Sequence, residues 1–382
     1  MLIDVTRLAD RFLQGRLPTG VDRVSLAYVK HFHDRAHALV RFGGRWAEMT
    51  HRDSQLIFNA LLDGTTNRAG TLRRCVARGY ASFWQRRHGT LLWNTGHTGL
   101  DQPEYVRAVK RRALRPLFFL HDLIPITHPE YCRPGEADKH HRRLDAMLSV
   151  GHGLLVNSDV TRDELFDYAE RRRVAVPPCA VAPLAPARLP QPEERRPLEQ
   201  PYFVILGTIE PRKNHLLLLQ LWRHLVEVMG EDAPRLVVIG QRGWECEQVV
   251  DQLDRCEHLR DFVIEKARCT DVELATWLHH ARALLFPSFA EGFGIPLVEA
   301  LMLGVPVIAS DLPVFREIAE DIPEYLDPID GLGWKRMILD YVEPDSPRRR
   351  AQCERMTGYA PPTWDEHFTV VEELMKGLDA AR

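Results

Sequence analysis

The feature that most constrains the fold is a regular alternation of short apolar segments with longer amphipathic ones. It is clearest after residue 200, where five short segments rich in Val, Ile, Leu and Phe are each followed by a helical pattern. These segments are YFVILGT (202–208), RLVVIG (235–240), DFVIE (261–265), ALLFPS (283–288) and PVIAS (306–310). Strands this apolar are buried on both faces, as in a parallel sheet that is covered by helices. The alternation therefore predicts a doubly wound α/β fold.

The first half of the chain repeats the alternation less regularly. Its candidate strands are LIDVT, HALVRFGG, TLLWNTG, PLFFLHD, GLLVNSD and AVAPL, with helical patterns between most of them. The segment 186–201, PARLPQPEERRPLEQP, suits a linker because its prolines and charges disfavour both a helix and a buried strand. The sequence thus predicts a first domain over 1–186, a linker over 187–200, a second domain over 201–360 and a closing amphipathic helix over 361–382.

Composition excludes several classes of protein. The chain of 382 residues is 45% hydrophobic and 27% charged, which is typical of a soluble globular protein. No apolar stretch approaches the roughly 18 residues that a membrane span needs. The opening MLIDVTRLADRF contains acids and no long apolar core, so we do not expect a secretory signal peptide. Seven cysteines without a C-x-x-C pair indicate reduced thiols in a cytoplasmic protein, and neither a disulfide framework nor a zinc site.

Charge is distributed unevenly between the two halves. Residues 1–190 carry 29 Lys and Arg against 19 Asp and Glu, whereas residues 191–382 carry 21 against 34. The arginine- and aromatic-rich segments 71–89 and 105–115 suit an anionic membrane surface, which predicts a peripheral location on the cytoplasmic face of the inner membrane. The alternative is that net charge varies between domains without any functional reason. We expect no nucleic acid partner, because that function would leave the acidic second half unused.

Three loops of the predicted second sheet carry residues suited to chemistry. IEPRKN (209–214), QRGWE (241–245) and FAEGFG (289–294) each follow a strand, and the carboxyl ends of parallel strands lie at one edge of a sheet. Arg212 and Lys213 suit a diphosphate, and the backbone amides after Glu291 open a helix that attracts anions and hydroxyl oxygens. The alternative is an exposed helix start carrying ordinary surface charges.

Several familiar site motifs are absent. No G-x-G-x-x-G or G-x-x-x-x-G-K-[ST] follows a strand, so neither a Rossmann dehydrogenase nor a P-loop enzyme is indicated. There is no H-E-x-x-H, and the pair His140–His141 in KHHRR is expected on a solvated helix face. We therefore expect no metal site and no cofactor.

Four motifs in order resemble family 4 of the retaining glycosyltransferases, which have the GT-B fold. They are GTIEPRKN, GQRGW, FPSFAEGFGIPLVEAL and GVPVIASDLPVFREIA, and HDLIPITHPEY and VNSDVTRDEL resemble segments of the first half of that family. The resemblance implies two Rossmann-like domains facing a cleft, with the closing helix crossing back to the first domain. It is nearest to bacterial polysaccharide mannosyltransferases that use GDP-mannose. Transferases that use UDP-sugars share most of these residues, and nucleotide-sugar epimerases share the fold.

The resemblance also implies roles for individual residues. Glu299 would bind the ribose, Arg212 and Lys213 the diphosphate, and Glu291 the transferred sugar. His121 would face that sugar across the cleft, and Gly20 would approach the phosphates. The resemblance assigns further donor-binding positions to Gly207, Thr208, Gln241, Gly243, Trp244, Gly292, Phe293, Gly294 and Ile295.

Some of these positions depart from the family or have a second interpretation. Thr208 stands where many relatives carry Arg, which leaves one cation fewer at the phosphates. Asp22 is an acid close to Gly20, and an acid disfavours a phosphate there. Trp244 suits either core packing or a pocket wall, and Asp122 either orients His121 or caps a turn.

The chemistry implied by the resemblance needs neither a metal nor a covalent intermediate. Retention normally calls for a carboxylate nucleophile, but the resemblance implies attack on the face that the phosphate leaves. Arg212 and Lys213 would stabilise the leaving diphosphate, and a glycan or lipid-linked oligosaccharide would be the acceptor. A catalytically inactive partner protein is a further alternative, although the chain retains both Glu291 and Glu299.

Overall fold

The computed structural model describes residues 1–64, 68–81 and 87–380. The chain forms two compact units. The first unit comprises Met1–Ile126, Ala137–Leu184 and Thr363–Arg382, and the second comprises Thr127–Glu136 and Ala185–Pro362.

A seven-stranded sheet lies at the centre of the first unit. Its strands are β1 (Leu2–Asp4), β2 (His37–Phe42), β3 (Arg45–Glu48), β4 (Leu91–Asn94), β5 (Arg115–Leu120), β6 (Gly153–Val156) and β7 (Cys179–Val181). The helices of this half of the chain are α1 (Thr6–Leu13), α2 (Gly20–His31), α3 (His51–Asp63), α4 (Ala69–Ala81), α5 (Pro103–Arg111), α6 (Ile124–Thr127), α7 (Glu136–Val150) and α8 (Asp159–Arg172). The strand order is β3-β2-β1-β4-β5-β6-β7, and every pair is parallel except β2 with β3.

The edge strand β3 is not among the predicted strands. It pairs with β2 as a hairpin in which Leu39 lies opposite Glu48 and Phe42 opposite Arg45. Gly43 and Gly44 form the turn with φ of 55° and 73°. Positive φ at both central residues is what a type I′ hairpin turn requires, and glycine adopts it without strain.

The second unit contains a six-stranded sheet in which every pair is parallel. Its strands are β8 (Tyr202–Leu206), β9 (Arg235–Ile239), β10 (Val263–Lys266), β11 (Leu284–Phe286), β12 (Val307–Ser310) and β13 (Glu324–Leu326). Its helices are α9 (His215–Met229), α10 (Glu247–Arg255), α11 (Asp271–His279), α12 (Ile295–Met302), α13 (Pro313–Ala319), α14 (Gly331–Val342) and α15 (Pro347–Arg355). All five strands predicted after residue 200 are confirmed, and β13 is an additional edge strand.

Large aromatic side chains fill the core of the second unit. Trp222 on α9 and Trp334 on α14 are fully buried against the apolar faces of β8 and β9. Each indole N–H donates to a backbone carbonyl, that of Pro234 at 2.8 Å and that of Asp327 at 3.0 Å. These bonds remove the cost of burying an unpaired donor, so both rings contribute their full apolar area.

The closing helix α16 (Trp364–Ala380) belongs to the first unit. His367 on this helix is fully buried, and its two ring nitrogens lie 3.0 Å from the carbonyl of Pro183 and 3.0 Å from the hydroxyl of Tyr28. Tyr28 packs edge-on against Trp93 in the core. The helix is therefore tied to the sheet through a buried polar contact as well as through its apolar face.

The strand order of each sheet indicates where a ligand is expected to bind. In the sheet of the second unit the order runs outward in both directions from the pair β8–β11, and in the first unit from β1–β4. Ligands of open α/β sheets bind in the crevice at the carboxyl ends of the strands at such a reversal. The loops that follow β8 and β11 are 207–214 and 287–294, two of the segments in which the sequence predicts chemistry.

The basic segment 71–89, which the sequence suggests for membrane binding, is only partly exposed as a cationic surface. Arg73 and Arg74 on α4 are exposed, whereas Arg87 pairs with the buried carboxylate of Glu48 at 3.3 Å, so Arg87 is not a free surface cation. Residues 82–86 of the basic segment 71–89 lie outside the described residues. Within the parts of the chain that the structure describes, no helix is both long enough and apolar enough to cross a bilayer.

Candidate active site

The loop after β8 is held in place by its own polar residues. Pro211–Lys213 forms one turn of 3-10 helix, and Asn214 follows in the left-handed conformation with φ of 57°. Asparagine adopts that conformation more readily than most residues. Its side-chain amide donates to the carbonyls of Pro287 at 3.2 Å and Pro328 at 2.9 Å. The loop is therefore fixed against the segment that follows β11.

Four charged side chains meet between these two loops. Arg212 Nη1 lies 2.7 Å from Glu291 Oε2, and Lys213 Nζ lies 2.5 Å from Glu291 Oε1. Arg212 also contacts Glu210, with Nη2 at 2.8 Å from Oε1. We refer to Glu210, Arg212, Lys213 and Glu291 as the charge cluster. Its formal charge is zero, because two carboxylates balance two cations.

The cluster is largely removed from water, so its charges interact strongly. The side chain of Glu291 is 7% exposed and that of Lys213 is 11% exposed. Burial alone would raise the pKa of Glu291, but Arg212 and Lys213 hold it at about 2. Burial lowers the pKa of the Lys213 ammonium and raises that of the Glu210 carboxyl, each against the pull of its ion-pair partners. The interpretation of Arg212 and Lys213 as an exposed helix start is therefore wrong.

Backbone contacts join the cluster to the turn at 289–294. Phe289 N donates to Arg212 O at 2.9 Å, and Arg212 Nη1 donates to Ala290 O at 2.6 Å. The following residues, Gly292 to Ile295, lead into α12, with Phe293 buried and Gly294 at the N-cap. The predicted sugar-binding turn is thus built directly onto the cationic loop.

Glu299 lies in the second turn of α12 and is only 3% exposed. Glu299 is therefore not an ordinary surface acid. Met302 at the end of the same helix is 43% exposed, so the apolar residues of this helix are not all buried. The assignment of Glu299 to a ribose stays a prediction.

The loop after β9 is tied to the loop after β8. Ile209 N donates to Gln241 O at 2.9 Å, and Gly243 N donates to Ile209 O at 3.0 Å. A Cβ on Gly243 would lie 2.7 Å from Thr208 Cγ2, so only glycine permits this approach. Gly207, which directly follows β8, backs onto the Lys213 side chain, since a Cβ there would lie 3.3 Å from Lys213 Cε. The predicted positions Gly207, Thr208, Gln241 and Gly243 therefore lie on two loops that contact each other.

Arg242, the cation of the loop after β9, does not join the charge cluster. Arg242 is next to Gly243 in sequence, but its guanidinium pairs with Asp254 at 2.6 Å and with Glu265 at 2.7 Å. These contacts hold Arg242 to α10 and β10. The sequence indicates three cations in these loops, of which the structure brings only Arg212 and Lys213 together.

Trp244 is half-buried, so it is not a core residue. The guanidinium carbon of Arg133 lies 4.9 Å from the centre of its ring, an arrangement that is favourable for a cation and an indole. Nearby in sequence, Tyr131 stacks on Phe289 with ring centres 4.9 Å apart and planes 6° apart. Arg133 and Tyr131 are not among the predicted site residues. The aromatic Tyr131 in HPEY was the only signal in the sequence that could have suggested them.

His121 follows β5 in the first unit and is buried there. Its Nε2 lies 2.7 Å from the carbonyl of Thr95, which can only accept, so Nε2 carries the proton. Burial lowers the pKa of His121, which keeps the ring neutral near pH 7 and leaves Nδ1 as an acceptor. Asp122 Oδ1 accepts from the backbone N of Ile124 at 3.1 Å, as in the interpretation of Asp122 as a turn cap.

Gly20 opens α2 and is exposed. Asp22 closes a capping box with Thr19, and its carboxylate lies 2.7 Å from Arg7 Nε and 2.8 Å from Arg11 Nε. Two cations therefore offset the acid that the sequence places beside Gly20. The objection that Asp22 raises to an anion at this helix start is removed, and the role of Gly20 stays a prediction.

The expectation of a solvated His140–His141 face is wrong for His140. This residue is only 3% exposed, and its Nε2 lies 3.0 Å from the backbone carbonyl of Asp122. Its ring centre is 6.0 Å from that of His97, which in turn is 5.1 Å from His121. The sequence spacing does not show this, because His97 and His121 follow β4 and β5 whereas His140 comes from α7.

Comparison with known proteins agrees with this geometry. Residues 190–322 match the model of the family described as "Glycosyl transferases group 1". The chain is 30% identical over 265 residues to O-antigen chain mannosyltransferase B of Escherichia coli, covering 68% of this chain and 69% of that protein.

Solved structures show the same fold at low sequence identity. Sucrose-phosphate synthase from Thermosynechococcus elongatus superimposes with a TM-score of 0.65 at 14% identity, covering 100% of this chain and 99% of that one. Anabaena HepE in complex with UDP-glucose gives a TM-score of 0.65 at 14% identity, covering 99% of each chain. The GT-B fold implied by the resemblance is confirmed.

Proposed function

We propose that this chain, which belongs to the glycosyl transferases group 1 family and is a glycosyltransferase, transfers mannose from GDP-mannose with retention of configuration. The acceptor in this proposal is a glycan or a lipid-linked oligosaccharide of bacterial surface polysaccharide synthesis. The observation that carries it is the similarity to an O-antigen chain mannosyltransferase over 265 residues, with two thirds of each protein covered. Membership of a glycosyltransferase family disfavours the alternatives of an epimerase and a nucleic acid binder.

In this proposal the second unit binds the donor. Arg212 and Lys213 receive the diphosphate, Glu291 and the amides of the following turn receive the sugar, and Glu299 receives the ribose. The position of the charge cluster at the carboxyl ends of β8 and β11 supports these roles, because ligands of such sheets bind where the strand order reverses. The low exposure of the cluster supports them as well, since charges act more strongly where water is excluded.

The reaction breaks the bond between the anomeric carbon and a phosphate oxygen. Negative charge grows on the leaving diphosphate, and Arg212 and Lys213 stabilise it more in the transition state than in the ground state. The acceptor oxygen attacks on the face that the phosphate leaves, and its proton passes to the departing phosphate oxygen. Glu291 is not assigned as a nucleophile, because two cations hold its pKa at about 2 and so reduce its basicity. His121 keeps the role at the sugar that the resemblance implies, and its neutral ring has Nδ1 as an acceptor.

No metal ion takes part in this proposal, which assigns the stabilisation of the leaving group to cationic side chains. Activity is therefore expected to persist in EDTA. Loss of activity in EDTA that returns with Mg²⁺ would contradict this part of the proposal.

The second candidate donor is a UDP-sugar. HepE, whose structure contains UDP-glucose, shares the fold at 14% identity, and its similarity supports no more than the general architecture for this chain. The two candidates differ in the base and the sugar, and both require the diphosphate at the same loops.

We also propose that the protein binds peripherally to the cytoplasmic face of the inner membrane. Exposed cations support this: Arg73 and Arg74 on α4, and Lys110 and Arg111 on α5. Each such charge contributes about 1 kcal/mol near an anionic lipid surface.

The decisive experiment is an incubation with radiolabelled GDP-mannose or UDP-sugars, with and without a lipid-linked oligosaccharide. We expect label to pass from GDP-mannose to the acceptor only when the acceptor is present. The configuration of the product, measured by NMR, tests retention. Transfer from a UDP-sugar alone would replace the donor, and conversion of the donor without an acceptor would contradict the proposed transfer.

A further inference from the structure

The charge cluster alone is poorly matched to the ligand that it is proposed to bind. Arg212 and Lys213 both pair with Glu291, and Arg212 also pairs with Glu210, so the cluster offers no net positive charge. A nucleoside diphosphate carries at least two negative charges near pH 7. Binding it here therefore calls for a cation that no carboxylate already neutralises.

Such a cation reaches the loops of the second unit from a distant part of the sequence. The segment Thr127–Glu136 belongs to the second unit, although α6 and α7 on either side of it lie mainly in the first. Tyr131 holds this segment in place by stacking on Phe289. The backbone N of Phe289 in turn donates to Arg212 O. The segment is thus placed directly on the loops that form the charge cluster.

Arg133 is exposed and lies over Trp244, two residues beyond Tyr131 along the same segment. Among the described residues, no carboxylate pairs with its guanidinium. The N–H groups of a guanidinium lie in its own plane and point outward, where they can bind a phosphate. The indole Nε1 of Trp244 is also shielded from solvent and has no acceptor among the described residues. Two sets of donors therefore meet at one place without an acceptor.

We propose that Arg133 is a donor-binding residue that contacts the diphosphate, with Trp244 as the platform that orients its guanidinium. Tyr131 is a positioning residue that holds the segment against Phe289. This inference rests on the proposed nucleotide-sugar function. It adds to the donor site a residue from a segment that the chain supplies between α6 and α7.

The test measures nucleotide binding directly and does not depend on the acceptor. Wild type, Arg133→Gln and the control Arg336→Gln are titrated by calorimetry with GDP, UDP and GMP. Arg336 is an exposed residue on α14, so its replacement makes the same charge change elsewhere in the second unit. We expect Arg133→Gln to weaken GDP binding by at least about tenfold, or ~1.4 kcal/mol, with a smaller loss for GMP. The control is expected to bind like wild type.

A second pair of variants tests the positioning role of Tyr131. Tyr131→Phe keeps the stack on Phe289 and is expected to retain the donor KM of wild type. Tyr131→Leu removes the stack and is expected to raise the donor KM while the acceptor KM stays unchanged. Equal donor KM values for the two variants would contradict the positioning role.

The outcomes separate this inference from the function on which it rests. If wild type binds GDP or UDP and Arg133→Gln binds it equally well, Arg133 is not a donor-binding residue, although the proposed function stands. If Arg133→Gln changes only the acceptor KM, the phosphate that it recognises belongs to the acceptor and the proposal is overturned. If wild type binds neither nucleotide, the proposed function and this inference both fall.

Discussion

Replacing Glu291 by Gln should reveal how strongly the charge cluster depends on its central carboxylate. Glu291 is the shared partner of Arg212 and Lys213, at 2.7 and 2.5 Å, and these two cations hold its pKa at about 2 against an ordinary value of 4.5. That difference of about 2.5 pKa units corresponds to about 3 kcal/mol of interaction with the charged carboxylate. Removal of one partner from a buried ion pair costs roughly the same, about 3–5 kcal/mol.

The expected result is a loss of about 3 kcal/mol in the free energy of unfolding at pH 7. For a unit of this size, that corresponds to a fall of about 6–12 °C in the Tm of the second unit. Scanning calorimetry of Glu291→Gln against wild type measures it. Glu354→Gln is the matched control, because Glu354 is an exposed residue on α15 and its replacement makes the same chemical change.

The pH dependence gives a second check with a definite sign. A carboxylate with a depressed pKa contributes its stability fully above pH 4.5 and loses it as the pH falls toward 2. The Tm difference between wild type and Glu291→Gln should therefore be constant between pH 5 and 8 and should narrow below pH 4.5.

Anions should partly replace the missing carboxylate, because Arg212 and Lys213 are left without their shared partner in the variant. Pyrophosphate is therefore expected to raise the Tm of Glu291→Gln more than that of wild type. The reasoning would be refuted if the Tm of Glu291→Gln matched that of Glu354→Gln, or if the gap to wild type stayed unchanged at pH 3.

The remaining predictions concern the nucleotide, the acid response and the membrane. Glu299→Ala should mainly raise the donor KM in steady-state kinetics, since a ribose contact persists in ground and transition states alike; a lower kcat at unchanged KM would contradict its assigned role. GDP should raise the Tm more than UDP at equal concentration, and the opposite ranking would favour a UDP-sugar. Burial lowers the pKa of His367 to about 4, so its contribution to stability is complete above about pH 6.5 and is lost as the pH falls from there toward 4. His367→Gln should therefore flatten the fall in Tm between pH 7 and 5, and an unchanged slope would assign that fall to other groups. Wild type should sediment with phosphatidylglycerol vesicles at low salt, and neutralising Arg73, Arg74 and Arg111 together should weaken this by a few kcal/mol; binding that ignores salt and lipid charge would refute the membrane proposal.

The sequence predicts the sheet of the second unit well because its strands are buried on both faces. YFVILGT and RLVVIG are apolar along their length, and they become the adjacent strands β8 and β9. The hairpin strand β3 is harder to predict, since RWAE is short and polar at its start. Its only local signal is the Gly43–Gly44 pair that forms the turn.

The site is partly predictable for a related reason. Arg212, Lys213 and Glu291 follow strands that the sequence identifies, so their meeting at one edge follows from parallel topology. Which charges pair is not visible in the sequence. Arg242 finds Asp254 and Glu265 on neighbouring elements, and Arg87 finds Glu48, an acid 39 positions away. The same holds for Arg133 and Trp244, which come from distant stretches of chain.

The course of the chain between the two units limits how the protein can be divided. It passes from one unit to the other four times, after residues 126, 136, 184 and 362. A cut in the proline-rich segment 186–201 would therefore leave α16 on the wrong fragment and would separate Thr127–Glu136 from the loops on which it packs. Hybrid proteins that exchange the second unit between relatives, as a way to change the donor, need to carry this ten-residue segment along with it. Exchange of the C-terminal half alone would join a foreign set of nucleotide loops to a Tyr131 and an Arg133 that were not selected for them.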